Sequence, residues 1–146
     1  MLFPQYDLKA DEKLEVFEFV SVGNKGGIIK IIQFLQISDN LYNLGFGDKD
    51  AKTGEISDII VSNNGDSRKV LATVVASVYA FTTKYSNALV YATGSTKSRT
   101  RLYRIGIANN LKEILKDFEI FGLREEEFEK FRKGVEYQGF LVKRRG

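Results

Sequence analysis

Residues 87–103 read N-A-L-V-Y-A-T-G-S-T-K-S-R-T-R-L-Y and contain a strand that runs into a helix. The strand, at 87–93, is a nearly continuous apolar run, which is typical of a central strand covered on both faces. Gly-Ser-Thr at 94–96 breaks the run, and a helix is predicted over 97–109, rejoined by a second helical segment at 111–117. This stretch therefore predicts a strand–loop–helix unit within a sheet.

A second helix is predicted upstream of this unit. Apolar side chains recur at helical spacing over 70–81, and the helix is expected to end near residue 85. The polar run N-N-G-D-S at 63–67 precedes it, and Asp66 or Ser67 can accept a hydrogen bond from a free N–H of the first turn. The two helices therefore bracket the apolar strand.

The first half of the chain predicts a β-meander. Alternating or β-branched runs favour four strands, at 14–22, 28–37, 41–47 and 56–61. Asn-Lys-Gly-Gly at 24–27 is a hairpin turn signal, because Gly and Asn tolerate positive φ. Beyond the helices, the predicted elements are a strand at 118–123, a short acidic helix at 125–133 and a final strand at 139–143.

The order of these elements defines the expected fold class. It is α+β, with an N-terminal antiparallel β-meander followed by β-α-β-α-β in a mixed sheet flanked by helices. No repeat, linker or low-complexity tract interrupts residues 1–146, so we expect a single domain. The N-terminus lacks the pattern of a signal peptide, and no apolar run approaches the ~20 residues that span a bilayer. We therefore expect a cytoplasmic protein with no membrane segment.

The composition restricts the chemistry that this chain can perform. The 146 residues include no Cys and no His, and 22 Lys+Arg stand against 19 Asp+Glu, for a net charge of +3. Thiolate nucleophiles, Ser-His-Asp triads and metal sites built on Cys or His are excluded. The polar loop at 48–54 fails the spacing of a calcium-binding loop, so we expect no metal. Proton transfer is left to Asp, Glu, Lys, Tyr, Ser and Thr.

The strongest candidate site is the junction between the apolar strand and the helix at 97–109. A helix N-terminus offers free N–H groups and the positive end of the helix dipole, both of which favour anions. The candidate ligand-binding residues are Gly94, Ser95, Thr96, Arg99, Arg101 and Arg104. On a helix, Lys97, Arg101 and Arg104 share one face, whereas Arg99 and Tyr103 share another. The expected ligand is anionic or phosphorylated.

Two other interpretations of the same residues stay open. In the first, Ser95 or Thr96 is an ordinary N-cap, and the arginines form internal salt bridges with the acidic segments at 11–18 or 125–129. In the second, the basic helix face docks nucleic acid or an acidic protein partner, with Lys97, Arg101 and Arg104 as the phosphate contacts.

The order of elements resembles that of the Gcn5-related N-acetyltransferase superfamily, and L-Y-R-I-G-I at 102–107 is similar to a helix-ending motif of those enzymes. The resemblance implies acetyl-CoA as cofactor and Tyr103 as the catalytic general acid. It also implies that the loop before the first helix cradles the CoA pyrophosphate through Q/R-x-x-G-x-G/A. Asn63, Asp66 and Arg68 stand at the three key positions of that pattern and none of them matches it.

The run G-S-T-K-S-R-T-R-L-Y at 94–103, followed by two asparagines at 109–110, also resembles a family of small uncharacterised bacterial proteins that carry a GSTxxRTRLY motif. The resemblance covers most of the chain. It implies kinship and no particular activity.

Overall fold

The computed structural model describes residues 4–57, 64–94 and 96–146. Within these ranges it contains eight strands and three helices. The strands are β1 Lys9–Ala10, β2 Val16–Gly23, β3 Gly26–Ser38, β4 Leu41–Asp48, β5 Leu89–Ala92, β6 Phe118–Arg124, β7 Glu127–Lys130 and β8 Gly139–Arg144. The helices are α1 Ser67–Lys84, α2 Lys97–Asn109 and α3 Leu111–Asp117.

All eight strands form one mixed sheet in the order β1-β2-β3-β4-β5-β8-β6-β7. Only the β4–β5 pair is parallel among these strands, with Leu41 opposite Leu89 and Leu44 opposite Ala92. A parallel pair needs a long crossover connection, and α1 lies on it. The fold is therefore α+β, and it is consistent with the acetyltransferase-like mixed sheet flanked by helices that the sequence predicted.

The three helices pack on the same face of the sheet. Val74 and Phe81 of α1 contact inward-facing side chains of β2 to β5, and Ile114 of α3 contacts those of β6. Phe81 is fully buried and stacks on Phe34, with 4.1 Å between the ring centroids. On the opposite face, several large apolar side chains are about half exposed, namely Val20, Val22, Ile29, Leu35, Ile37 and Phe128. The core therefore lies between the sheet and the helix layer.

Most of the predicted elements are confirmed, and one of them is wrong. The acidic segment at 125–133 was expected to be a helix, but its centre is strand β7, which pairs with β6. Glu125 and Glu126 link these strands with φ angles of 52° and 69°. A two-residue turn with positive φ at both positions matches the right-handed twist of a hairpin, but its usual residues are Asn and Gly, so a pair of glutamates gives no turn signal.

The fourth strand of the predicted meander, at 56–61, is only partly within the described residues. Ile56 forms an isolated bridge with Lys49, and residues 58–61 lie outside the described ranges. None of the three helices is long and apolar enough to cross a membrane, over the residues that the structure describes.

Candidate functional site

The start of α2 is held against the end of β5 by short polar contacts. Thr96 is the N-cap, and its side-chain oxygen accepts a hydrogen bond from the Arg99 N–H at 3.2 Å. The Gly94 N–H donates to Thr100 Oγ1 at 3.0 Å. A Cβ at Gly94 would lie 2.6 Å from the Arg99 Cβ, so only glycine permits this approach. Ser95, the remaining member of the predicted Gly-Ser-Thr loop, lies outside the described residues.

One face of α2 presents its cations to an open depression of about 700 Å³, which we call the cationic cleft. Its cations are Lys97, Arg101, Arg104 and Arg124, and its other polar residues include Gly94, Thr96, Thr100, Glu125, Glu136 and Gln138. Lys97 and Arg101 are exposed, and Arg104 is partly exposed. The cleft thus contains four of the predicted ligand-binding residues, which are Gly94, Thr96, Arg101 and Arg104.

The cations of α2 in this cleft have no partner among the residues that the structure describes. Across residues 4–57, 64–94 and 96–146, Lys97, Arg101 and Arg104 make no ion pair and no side-chain hydrogen bond. In the acidic segments that could have paired with them, Glu18 binds Lys49, and Glu129 binds Arg124 and Arg132. The structure therefore gives this helix face no salt bridge that would account for its charge.

Arg99 points to the other side of α2. It is 9% exposed, and its Nη1 donates to the Phe46 carbonyl at 2.7 Å while its guanidinium lies over the Phe46 ring. The pairing of β4 with β5 ends at Leu44, and Phe46 lies beyond it on β4. The edge of β4 that faces β5 has no neighbour at Phe46 among the described strands. Arg99 therefore satisfies a backbone acceptor at the point where the two parallel strands separate.

Arg99 lines a second depression, of about 210 Å³, which we call the polar pocket. It lies between the starts of α1 and α2, and its polar residues include Lys30, Asn64, Asp66, Thr96, Ser98, Arg99 and Tyr103. Its wall carries charges of both signs, since Lys30, Asp66 and Arg99 all line it, and Lys30 forms an ion pair with Asp48. The predicted site is thus divided by α2 into a cationic cleft and a polar pocket.

Tyr103, the predicted general acid, is in the wall of the polar pocket. It is 7% exposed, and its hydroxyl makes no hydrogen bond with any residue in the described ranges. Burial raises the pKa of Tyr103 to about 12, and the nearby charge of Arg99 offsets this only in part. The phenol is therefore protonated near neutral pH and is able to donate a hydrogen bond.

We expect the free energy of unfolding of Tyr103→Phe to fall less steeply with alkaline pH than that of the wild type. The pKa of Tyr103 is about 12 in the folded chain against an ordinary value of 10, so ionisation favours the unfolded chain as the pH rises through this range. The wild type should lose roughly 3 kcal/mol from this group between pH 10 and pH 12, and the variant should not. Urea unfolding at steps of half a pH unit measures this, and equal slopes in both proteins would contradict it.

Four buried or half-buried polar residues near α1 were not predicted as part of a site. Asn64 accepts a hydrogen bond from the Lys25 N–H at 2.6 Å, and Asp66 accepts from the hydroxyls of Tyr6 and Ser21 at 2.6 Å and 2.5 Å. The others are Lys30 and Asp48. A lysine at an inward-facing position of an isoleucine-rich strand was a signal that could have identified Lys30.

Asp66 corrects the predicted cap of α1. It occupies the N-cap position, but its side chain makes no capping bond, because the hydroxyls of Tyr6 and Ser21 hold its carboxylate. Among the described residues, no three acidic side chains come together as a metal site would require.

A model of a family of unknown function, DUF6934, matches residues 3–145. No curated protein and no solved structure matches the chain.

Proposed function

The chain belongs to the DUF6934 family of unknown function, and on that premise we propose, from its own geometry, that the cationic cleft binds an anionic, phosphorylated ligand. One observation carries the proposal. Lys97, Arg101 and Arg104 lie on one face of α2, point into the same cleft and have no ion-pair partner in the described ranges. Guanidinium groups bind phosphate oxygens through paired N–H donors, which suits this class of ligand.

The position of Lys97 in the first turn of α2 supports the same proposal. Basic residues near a helix N-terminus oppose the helix dipole, and α2 has no acidic residue in its first turn to offset that cost. A bound phosphate would be favoured both by the cations and by the free N–H groups at the start of the helix. The hydroxyls of Thr96 and Ser98 are further donors at this end.

Acetyl-CoA is not supported as the ligand in the way that the fold resemblance implies. The Asp66 carboxylate at the start of α1 would repel a pyrophosphate group, and the residues of that helix N-terminus do not fit one. Tyr103 keeps its proposed role as a proton donor, but it lies in the polar pocket with Arg99, across α2 from Arg101 and Arg104. Acetyl-CoA is therefore one of the compounds that the binding experiment compares.

The expected result of the test is that Arg101→Ala and Arg104→Ala each weaken binding of a phosphorylated ligand by about tenfold, because each variant loses a charge-assisted hydrogen bond. Thermal shifts with inorganic pyrophosphate, ATP, CoA and acetyl-CoA identify the ligand, since a ligand that prefers the folded state raises the Tm. Arg145→Ala, at an exposed arginine that does not line the cleft, is the matched control. If all three variants bind the ligand with equal affinity, the ligand does not bind in the cationic cleft.

Nucleic acid or an acidic protein is the second candidate for this cleft, because the three of its four cations that lie on α2 recur at i, i+4 and i+7. Labelled DNA and RNA, titrated at two salt concentrations, distinguish it from a small ligand. If the affinity for nucleic acid falls steeply with salt, and falls less steeply in Arg101→Ala, the ligand is a polyanion. If pyrophosphate binds tightly and nucleic acid shows no such salt dependence, the small ligand is favoured.

A further inference from the structure

A separate cavity of about 90 Å³ lies between the helices and the sheet. It faces the side of α2 opposite the cationic cleft, and its lining includes Leu71, Ile107 and Ile114. Apart from Tyr103 and Asn110, the residues in its wall are aliphatic, phenylalanine or glycine. An open groove of about 300 Å³ lies beside the cavity and shares Asn110 and Ile114 with it.

Asn110 lines both the cavity and the groove, and it carries an unsatisfied acceptor. Its Oδ1 is buried and accepts no hydrogen bond from any residue of the described ranges. Its Nδ2 donates to the Gly106 carbonyl at 2.9 Å, which fixes the orientation of the amide, because the flipped amide would set two oxygens against each other. A buried carbonyl without a donor is costly, so the site is stabilised by any group that supplies one.

The chemistry of the wall restricts what can supply that donor. A buried water needs two to four polar partners, and the side chains of this wall offer only the minimum of two, Asn110 and Tyr103. A molecule that is apolar over most of its surface and carries one donor matches the wall better than water does. We propose that the cavity is a binding site for a compact apolar ligand with one N–H or O–H group, which donates to Asn110 Oδ1. The site is independent of the cationic cleft.

Pyrrole and furan provide a matched pair of probes for this proposal. The rings have the same size, but only pyrrole has an N–H donor. In NMR titrations of the wild type, pyrrole should bind at least fivefold more tightly than furan and should shift the methyl resonances of Leu71, Ile107 and Ile114. Equal affinities, or shifts confined to other methyl groups, would overturn the proposal.

Two variants test whether the preference for pyrrole comes from the hydrogen bond to Asn110 or from the shape of the cavity. Asn110→Leu keeps a side chain of similar size without the carbonyl, and the preference for pyrrole over furan should fall below about twofold. Asn109→Leu, the same change at the exposed neighbouring residue, should keep the wild-type preference. If Asn110→Leu does not fold, crystals of the wild type soaked in pyrrole decide the question. Pyrrole nitrogen within hydrogen-bond distance of Asn110 Oδ1 supports the site, and an ordered water there with pyrrole absent overturns it.

Discussion

Lys30→Met is expected to lower the free energy of unfolding by about 3–5 kcal/mol, the usual cost of breaking a buried ion pair from one side. The Lys30 ammonium forms an ion pair with the Asp48 carboxylate between β3 and β4, and both residues are almost fully buried. The methionine fills similar space but leaves the Asp48 carboxylate in the core without the ammonium beside it. Urea unfolding followed by circular dichroism measures the difference.

A matched exposed pair and a double variant test the cause. Lys49 and Glu18 are 3.0 Å apart with each side chain about one-third exposed, so Lys49→Met should cost no more than about 1 kcal/mol. Lys30→Met combined with Asp48→Leu should recover part of the lost stability, because no charge then remains unpaired at this position. A double variant that loses the sum of both single effects would rule out the ion pair as the cause.

Phe81→Ala is expected to lower the free energy of unfolding by about 3–5 kcal/mol, the range for removing a large buried aromatic ring. Phe81 has no exposed surface, and its ring contacts those of Phe34, Tyr42 and Tyr85, with centroids 4.1, 4.9 and 4.7 Å away. It therefore joins α1 to strands β3 and β4 at the centre of the core.

The same substitution at the surface is the control for this prediction. Phe128 is 48% exposed on the outer face of the sheet, and Phe128→Ala should cost less than about 1 kcal/mol. Chemical denaturation at neutral pH compares the two variants. Similar losses in both would mean that burial against α1 does not determine the contribution of Phe81.

The parts of the fold that the sequence predicted are those with a strong periodic pattern. The helix at Ser67–Lys84 buries one stripe of side chains, and the strand at Leu89–Ala92 is a continuous apolar run, so each has a clear apolar pattern. The expected cover on both faces of this strand is not observed among the described residues, because the helices pack on one face of the sheet and only Val90 of the strand is buried. The segment at 125–133 was predicted wrongly because the four glutamates among residues 125–129 favour a helix locally, whereas the pairing of Glu127–Lys130 with β6 determines the conformation.

The two faces of α2 were predicted, but the contacts of the residues around them were not. Helical periodicity correctly separated Arg101 and Arg104 from Arg99 and Tyr103. It could not supply the pairing of Lys30 with Asp48 or the bonds from Tyr6 to Asp66, because these join residues far apart in the chain. Such contacts follow from strand register and from the path of the loop into α1, neither of which has a local sequence signal.

The parallel β4–β5 pair has a consequence for the order in which the chain folds. Strands β2 to β4 are joined by tight connections, so their hydrogen bonds close short loops, whereas Leu41 meets Leu89 only after the whole of α1 has crossed the sheet. Closing the longer loop costs more conformational entropy before any contact repays it. The N-terminal meander can therefore assemble first, and the strand separation that Arg99 occupies is formed late, when the two halves of the sheet meet.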